Sequence, residues 1–515
     1  MIKKGFTSSS ILVKNTLFNF SGMLLPLLVG VIAIPLTVRG LGTEGFGILS
    51  IAWIILGYLT LLDFGLSRAT TKFAAENLNK NNLNGIPSIF WTSILMGFCF
   101  GCLGSVILYL ATPHLINSFF KIPTTYLNET RQSFYLLACV LPFLLVSISL
   151  KGMLGAAQRF DLVNAVYVPV STLNFIFPAL SMPFGLNLPA IILLIVVSRL
   201  IATGVYFFLC LKIYPNCKHK PHMDLPLLKK LLSYGGWITI SGVVSPLLVY
   251  LDRLFIGSML SVGLLTYYSA PLEAITRLRI IPQAIMTTLF PEFSKGLNIE
   301  DRKRICFLFG KSVKILLLTT GIISLILSFN AHDILNLWLG KTFAEQSTSL
   351  FQIFSVSILI NFLALVPFTY LQGIGRPDLP AKFHLIELPI YLFLLWVSIT
   401  TFGILGAAYA WLFRVTLDFV LLYRWSFKFL PKLSEEIRSI DIRKILTLLL
   451  LFGLILIPIR LMVAHLIIRI ILLSGLIILL GWAIWLLILD TSEKAFIKST
   501  SEKLCFLKWI HETTH

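Results

Sequence analysis

Five arginines lie within long apolar segments of the sequence: Arg199, Arg253, Arg277, Arg279 and Arg414. A charge at the centre of a membrane-spanning helix costs about 2.5–3.5 kcal/mol on insertion scales, so we expect these side chains to face a hydrated cavity or a counterion. A guanidinium can form two parallel hydrogen bonds with a phosphate or carboxylate group. The arginines therefore indicate a binding site for an anionic group.

Acidic residues also occur in these segments, and two interpretations of them remain open. Glu273 lies one helical turn from Arg277, and Asp418 lies one turn from Arg414, so each pair could simply neutralise itself. Arg279 has no acidic residue three or four positions away, and Pro282 follows it closely. Alternatively, some of the acids bind a proton or sodium ion, and the candidates are Asp63, Asp252, Glu273 and Asp418. Glu387 is a further charged residue in an apolar segment and is not among these candidates.

No metal site is expected from the sequence. The CxxC pair Cys99 and Cys102 lies in an apolar segment without a histidine or a second cysteine pair nearby, which favours a packing role. The histidines fall mostly in loops or near segment ends. Two R-x-D stretches, Arg159 with Asp161 and Arg376 with Asp378, are expected to cap or pin the helices beside them.

The composition is typical of a polytopic membrane protein. Of the 515 residues, 57% are hydrophobic and 13% are charged, whereas soluble proteins carry about 25% charged residues. Apolar runs of 18 or more residues predict membrane-spanning helices, because about 20 residues cross the hydrocarbon core. The sequence predicts about fourteen spans, at 16–38, 46–66, 86–111, 134–157, 163–183, 188–211, 232–257, 263–290, 307–329, 350–373, 383–402, 404–423, 443–462 and 466–489.

The distribution of basic residues predicts the orientation of these spans. If both termini are cytoplasmic, most of the 42 Lys and Arg residues fall in cytoplasmic segments, as the positive-inside rule requires. The net charge of +19 is then mainly a topology signal and an attraction to anionic lipid. Nucleic-acid binding would need a basic soluble domain, which the sequence lacks.

Three sequence similarities in one register indicate a tandem duplication. SGMLLPLLV at 21–29 matches SGVVSPLLV at 241–249, LGAAQRFDL at 154–162 matches LQGIGRPDL at 371–379, and Arg199 corresponds to Arg414. The sequence therefore predicts two parallel six-helix lobes, 1–215 and 216–430, around a central cavity. Residues 431–515 would add two accessory helices and a cytoplasmic tail, so a chain ending near Phe429 is expected to fold.

The sequence resembles that of a known family. Similarity to bacterial polysaccharide or O-antigen flippases is carried by NTLFNFSGMLLPLLVGVIAIPLTVRGLGTEGFGILSIAWIILGYLTLLDFGLSRA, VYLDRLFIGSMLSVGLLTYYSA and LQGIGRPDLPA, and it covers about residues 10–430. These flippases belong to the multidrug/oligosaccharidyl-lipid/polysaccharide exporter superfamily. The resemblance implies transport of an undecaprenyl-diphosphate-linked oligosaccharide across the bacterial inner membrane by alternating access. It implies no cofactor.

This resemblance gives the arginines a specific ligand. The diphosphate would bind in a hydrated groove while the polyprenyl tail stays in lipid, and we rank Arg277 and Arg279 first, Arg253 second, and Arg199 and Arg414 third. The alternative for Arg199 and Arg414 is a structural feature repeated in the two lobes. A proton or sodium ion is the candidate coupling ion. Membrane lipids and polysaccharide polymerase or assembly proteins are the candidate partners.

Two other functions were weighed against a flippase. A multidrug exporter of the same superfamily is the first alternative, although its usual cationic substrates would favour a less cationic cavity. A polysaccharide-processing enzyme is the more distant one. Such an enzyme would normally need a sizeable external catalytic loop, and the longest predicted outer loop, about 112–133, has few groups suited to catalysis.

Overall fold

The computed structural model describes residues 9–59, 66–79, 82, 85–218, 224, 226, 244, 247–293, 299–431, 433, 435–436, 442–462, 465–491 and 493–494. Nearly all of these residues are helical, and none of them lies in a β-strand. In this part of the chain, ten helices are long and apolar enough to cross a membrane. The protein is therefore an all-α, multi-pass membrane protein, as its composition predicts.

Long helices separated by short turns form the first half of the described chain. They are α1 (Ser9–Leu59), α2 (Leu66–Asn79), α3 (Ile86–His114), α4 (Leu127–Ala156), α5 (Phe160–Ala179) and α6 (Leu188–Ile213). A π-helical turn, Leu115–Phe119, extends α3, and shorter helical pieces lie at Thr124–Tyr126, Ser181–Phe184 and Pro215–Lys218. At the start of α6, Asn187 Oδ1 accepts a hydrogen bond from the Ala190 backbone N–H at 3.2 Å, which satisfies a donor that has no partner within the helix.

The described residues of the second half are helical as well. Residues 247–255 form α7, which continues as the π-helical turn Ile256–Leu260. The later helices are α8 (Val262–Thr276), α9 (Ile280–Phe293), α10 (Ile299–Phe329), α11 (Ala331–Leu339), α12 (Lys341–Gly373), α13 (Asp378–Phe429), α14 (Ile442–Met462) and α15 (Leu466–Leu487).

Two of the longest helices contain a break at a glycine. Gly42 in α1 has a φ of +71°, and Gly403 in α13 has a φ of +59°. Glycine adopts this conformation without the steric cost that a Cβ atom would impose. Each break falls between two predicted spans, 16–38 and 46–66 in α1, and 383–402 and 404–423 in α13. Consecutive spans are thus joined without a separate loop.

The count of fourteen spans stays a prediction. The seventh predicted span, 232–257, lies partly outside the described residues. The eighth, 263–290, is not one continuous helix, because the 3-10 turn Arg277–Arg279 separates α8 from α9. Pro282 follows this turn and cannot donate the backbone hydrogen bond that a continuous α-helix would need there.

Contacts divide the chain into two units, and the first comprises residues 1–294 and 331–423. Within it α3 packs on α4, α4 packs on α6, and α1 packs on both α5 and α8. The contact between α1 and α8 is close, because a Cβ atom at Gly47 would lie 1.8 Å from the Val262 carbonyl oxygen. This division does not test the predicted lobe boundaries at 215 and 430, which remain predictions.

The second unit comprises residues 295–330 and 424–515. Here α10 packs on α14, and α14 packs on α15. Lys314 Nζ lies 2.8 Å from Glu493 Oε2, and Lys311 Nζ lies 3.7 Å from Glu493 Oε1. The last two membrane-spanning helices therefore share a unit with α10. A chain ending near Phe429 would lack the helices that pack on α10. This placement weighs against the expectation that such a chain folds, which stays a prediction.

The two R-x-D stretches have the same local geometry. Arg159 Nε donates a hydrogen bond to Asp161 Oδ1 at 2.9 Å, and Arg376 Nε donates one to Asp378 Oδ1 at the same distance. Asp161 and Asp378 lie in the first turns of α5 and α13, where a negative charge is favourable. Both stretches therefore lie at helix starts, and their predicted role in capping or pinning these helices stays a prediction.

Candidate functional site

A cavity of about 250 Å³ lies in the first unit and has a strongly charged wall. Its lining comes from α7, α8, the turn Arg277–Arg279, α12 and α13. The charged lining residues and the one lining histidine are Arg253, Glu273, Arg279, His384, Arg414 and Asp418. The fold thus brings three of the five predicted arginines to one cavity, where they face two carboxylates.

Glu273 bridges two arginines on this wall. Its Oε1 atom accepts a hydrogen bond from Arg253 Nη1 at 3.1 Å, and its Oε2 atom accepts one from Arg277 Nη2 at 3.1 Å. The predicted Glu273–Arg277 pair therefore forms, but Arg253 joins it. Because one carboxylate cannot neutralise two guanidinium groups, the trio keeps a net positive charge. The spacing of the sequence revealed the pair and missed the third member.

The two outer members of the trio have different surroundings. The Arg253 side chain is only 6% exposed, and its guanidinium lies 5.7 Å from the centre of the Tyr250 ring. The Arg277 side chain is 37% exposed, and its guanidinium lies 4.9 Å from the centre of the Phe175 ring of α5. Arg253 therefore holds Glu273 in place from within the protein, while Arg277 keeps donor groups available to a ligand.

Arg279 is the arginine best suited to bind an added anion. It lies on the 3-10 turn between α8 and α9 and lines the cavity. Within the described ranges, no carboxylate forms an ion pair with it. The absence of an acidic neighbour in the sequence predicted this, and the helix break at the turn places the side chain on the wall.

Asp252 is fully buried, and both of its carboxylate oxygens already have partners. Its Oδ1 atom accepts the Arg253 backbone N–H at 2.7 Å, and its Oδ2 atom accepts the Tyr268 hydroxyl at 2.5 Å. These bonds fix the junction of α7 and α8 beside the cavity. They give Asp252 a structural role, and its proposed ion binding remains an untested prediction.

Arg414 and Asp418 do not form the ion pair that their spacing suggested. Arg414 instead lies 5.6 Å from the centre of the Tyr391 ring. The donor and acceptor atoms of Asp418, His384 and Glu387 all lie within 4.8 Å of one another. The sequence analysis did not bring these three residues together, although the i,i+3 spacing of His384 and Glu387 within an apolar segment was a signal for two of them; the expectation of no metal site stays a prediction.

The other predicted site residues lie elsewhere. Arg199 in α6 donates a hydrogen bond from Nη2 to Asn174 Oδ1 in α5 at 3.4 Å, and it does not line the cavity. Lys151 of α4, which was not a predicted site residue, interacts electrostatically with Arg199. Its Nζ atom lies 5.4 Å from the ring centres of Tyr167 and Tyr206. Asp63 lies outside the described residues.

A bundle of membrane-spanning helices around a charged cavity is the architecture of a membrane transport protein. The chain belongs to the polysaccharide biosynthesis protein family, whose family model matches residues 12–297. A second family model, MatE, matches residues 238–397. A Shigella flexneri protein named "Putative O-antigen transporter" is 29% identical over 417 residues, which cover 80% of this chain and 97% of that protein.

Solved structures of transporters share the fold. The lipid II flippase MurJ in an inward closed conformation has a TM-score of 0.69 at 16% identity, covering 92% of this chain and 98% of that chain. An inward-facing multidrug resistance MATE family transporter has a TM-score of 0.60 at 14% identity, covering 81% and 99%. At these identities the likeness establishes the fold alone. The relatives and neighbours are transporters or flippases, which agrees with the expectation of a transporter rather than an enzyme.

Proposed function

We propose that this protein is a flippase that moves an undecaprenyl-diphosphate-linked oligosaccharide, an O-antigen or capsule repeat unit, across the bacterial inner membrane by alternating access. The observation that carries the proposal is the cavity wall, on which Arg253, Arg279 and Arg414 outnumber two carboxylates. A cavity with excess positive charge suits an anionic head group. The relative named as an O-antigen transporter supports a lipid-linked sugar as the substrate.

The geometry suggests how the diphosphate would bind. Arg279 has no acidic partner to give up in the described structure, and Arg277 is half-exposed at the other end of the same turn. Guanidinium groups of this kind can hold phosphate oxygens in pairs. The polyprenyl tail would stay in lipid, because burying it in a charged cavity would lose its favourable apolar contacts.

An exporter of cationic drugs is the alternative within the same fold. Its cationic substrates would be repelled by a wall on which three arginines outnumber two carboxylates. Glu273 is occupied by two arginines. The electrostatics of the cavity therefore favour the anionic lipid-linked substrate.

Replacement of Arg279 tests the proposal. Loss of one charge-assisted contact should weaken apparent substrate affinity about tenfold to a hundredfold, so Arg279→Ala should reduce surface glycan and accumulate lipid-linked oligosaccharide on the cytoplasmic face. Arg279→Lys should restore part of the activity, because it keeps the charge and loses the planar fork. Arg159→Ala, which changes an exposed arginine outside the cavity, is the matched control at equal membrane levels of protein. Normal glycan in Arg279→Ala cells would contradict the proposal.

The proposed orientation places both termini and the segment around Lys303 in the cytoplasm. A cysteine introduced at Lys303 should resist a membrane-impermeant thiol reagent in intact cells and react after permeabilisation. Labelling of this cysteine in intact cells would contradict the proposed orientation and place the segment on the outer side. Coupling to a proton or sodium ion is part of the same proposal, and transport that survives collapse of both gradients would contradict it.

A further inference from the structure

Two buried carboxylates beside the cavity, those of Glu387 and Asp418, have oxygen atoms without a hydrogen-bond partner. Glu387 has no exposed surface, and neither of its oxygens has a hydrogen-bond partner. Asp418 Oδ1 and His384 Nδ1 are likewise unpartnered, and the His384 side chain is only 9% exposed. Leaving a charged group buried without hydrogen bonds is costly, so a bound cation would stabilise this cluster.

The fold builds the cluster from two distant parts of α13. His384 and Glu387 are three residues apart and share one face of the helix. The break at Gly403 allows the chain to turn back, which brings Asp418 beside them. The contributing side chains thus lie on regular helix, and helices hold ligands more rigidly than loops do.

We infer that His384, Glu387 and Asp418 form a binding site for a divalent transition-metal ion of the zinc class. The distances fit such an ion. His384 Nδ1 and Glu387 Oε2 are 3.6 Å apart, too far for a hydrogen bond. Two ligands held about 2.1 Å from a tetrahedral ion are separated by about 3.4 Å, so small side-chain rotations would complete the site.

The ligand types select the class of ion. Imidazole nitrogen suits Zn²⁺, Co²⁺ and Ni²⁺, whereas Mg²⁺ and Ca²⁺ prefer sites made of oxygen alone. Two carboxylates would balance the charge of a divalent ion. His384 and Asp418 line the cavity, so the remaining coordination position would face its water. Three protein ligands with one open position are a common arrangement for a bound zinc ion.

Arg414 should weaken the affinity of the cluster for a metal ion, and it links metal binding to the charge of the cavity. It lies one turn before Asp418 and lines the same cavity, so its charge opposes a nearby metal ion. When the metal neutralises the two carboxylates, Arg414 loses the offset that they give to its charge, while its interaction with Asp252 remains. The cavity would then be more strongly cationic than without metal. The inference concerns metal binding by the protein alone and does not depend on the identity of the transported substrate.

Metal binding to the purified full-length protein in detergent tests the inference. After equilibration with Zn²⁺ or Co²⁺ and removal of free ion, the parent should retain about one more ion per chain than His384→Ala, Glu387→Gln or Asp418→Asn. His332→Ala is the matched control, because His332 also lies beside a carboxylate, Asp333 at 3.7 Å, but is exposed. Comparison with the parent subtracts any metal held by the seven cysteines.

Thermal unfolding of the unmodified protein provides a test that does not depend on variants folding. Zn²⁺ should raise the midpoint of the parent and of His332→Ala, since a ligand that binds only the folded state stabilises it, while Mg²⁺ at the same concentration should not. Failure of Zn²⁺ to stabilise the parent would overturn the inference. Equal retention of metal by the parent and the three cluster variants would overturn it as well, and stabilisation by Na⁺ alone would reassign the cluster to a monovalent ion.

Discussion

Arg199 and Arg414 occupy corresponding positions in the predicted sequence repeat but lie in different electrostatic surroundings. Arg199 bonds to the neutral amide of Asn174 and has Lys151 near enough for the two charges to interact. Arg414 lies on the cavity wall, one turn before Asp418. By contrast, the repeated R-x-D pairs agree in geometry. The two halves thus share the way helices begin and differ in the charges they place within the membrane.

The largest expected difference between the halves is in stability. Glu273→Ala would leave Arg253, which is 6% exposed, without its carboxylate, and breaking a buried pair in this way costs about 3–5 kcal/mol. In the first half, Asn174→Ala removes only a neutral partner of Arg199 and should cost about 1 kcal/mol. Thermal unfolding in detergent would measure both. Equal losses would show that Glu273 is not required to compensate Arg253.

A variant series sharpens the role of the trio. Glu273→Ala with Arg277→Ala should remain unstable, because Arg253 would still lack the carboxylate that accepts its hydrogen bond and would keep only the electrostatic attraction of Asp252. Adding Arg253→Met should recover much of the lost stability, since an apolar side chain of similar volume needs no counterion. Full recovery in the double variant would instead mean that Arg277 alone neutralises Glu273, and the net positive charge assigned to the trio would be wrong.

Replacing Arg414 and replacing Arg199 should have different effects on transport, and we expect this difference to be smaller than the difference in stability. Arg414→Ala removes a cation from the cavity wall and should weaken apparent substrate affinity about tenfold. Arg199→Ala changes a residue that does not line the cavity, and its effect should be several-fold smaller. Surface glycan at matched protein levels would report both. A larger effect for Arg199→Ala would move the substrate site toward the first half.

Sequence reasoning succeeded where an interaction is local. Hydropathy predicted the membrane-spanning class, and the R-x-D stretches were expected beside helices, where the structure has them, because both signals depend on residues close in the chain. Spacing also found Glu273 with Arg277. It could not find Arg253 as the second partner, because that contact joins α7 to α8 across 20 residues.

The cluster of His384, Glu387 and Asp418 shows the same limit more clearly. Glu387 was noted as a charge within an apolar segment, yet the sequence offered no reason to place Asp418 beside it. Their proximity depends on the backbone conformation at Gly403, which has a φ of +59°. Apolar patterning does not specify such a break, since the residues on both sides of it are equally suited to a membrane-spanning helix.

The smallest expected effects concern the feature that the two halves share. Arg159 and Arg376 are exposed and pair with an aspartate two residues away. Exposed pairs contribute little to stability because water screens them and ordering two side chains costs entropy. Arg159→Ala and Arg376→Ala should therefore leave the unfolding midpoint nearly unchanged, and to the same extent. A marked loss in only one of them would mean that the two Arg–Asp pairs contribute differently to stability despite their equal geometry. The helix starts would then not be a feature that the two halves share.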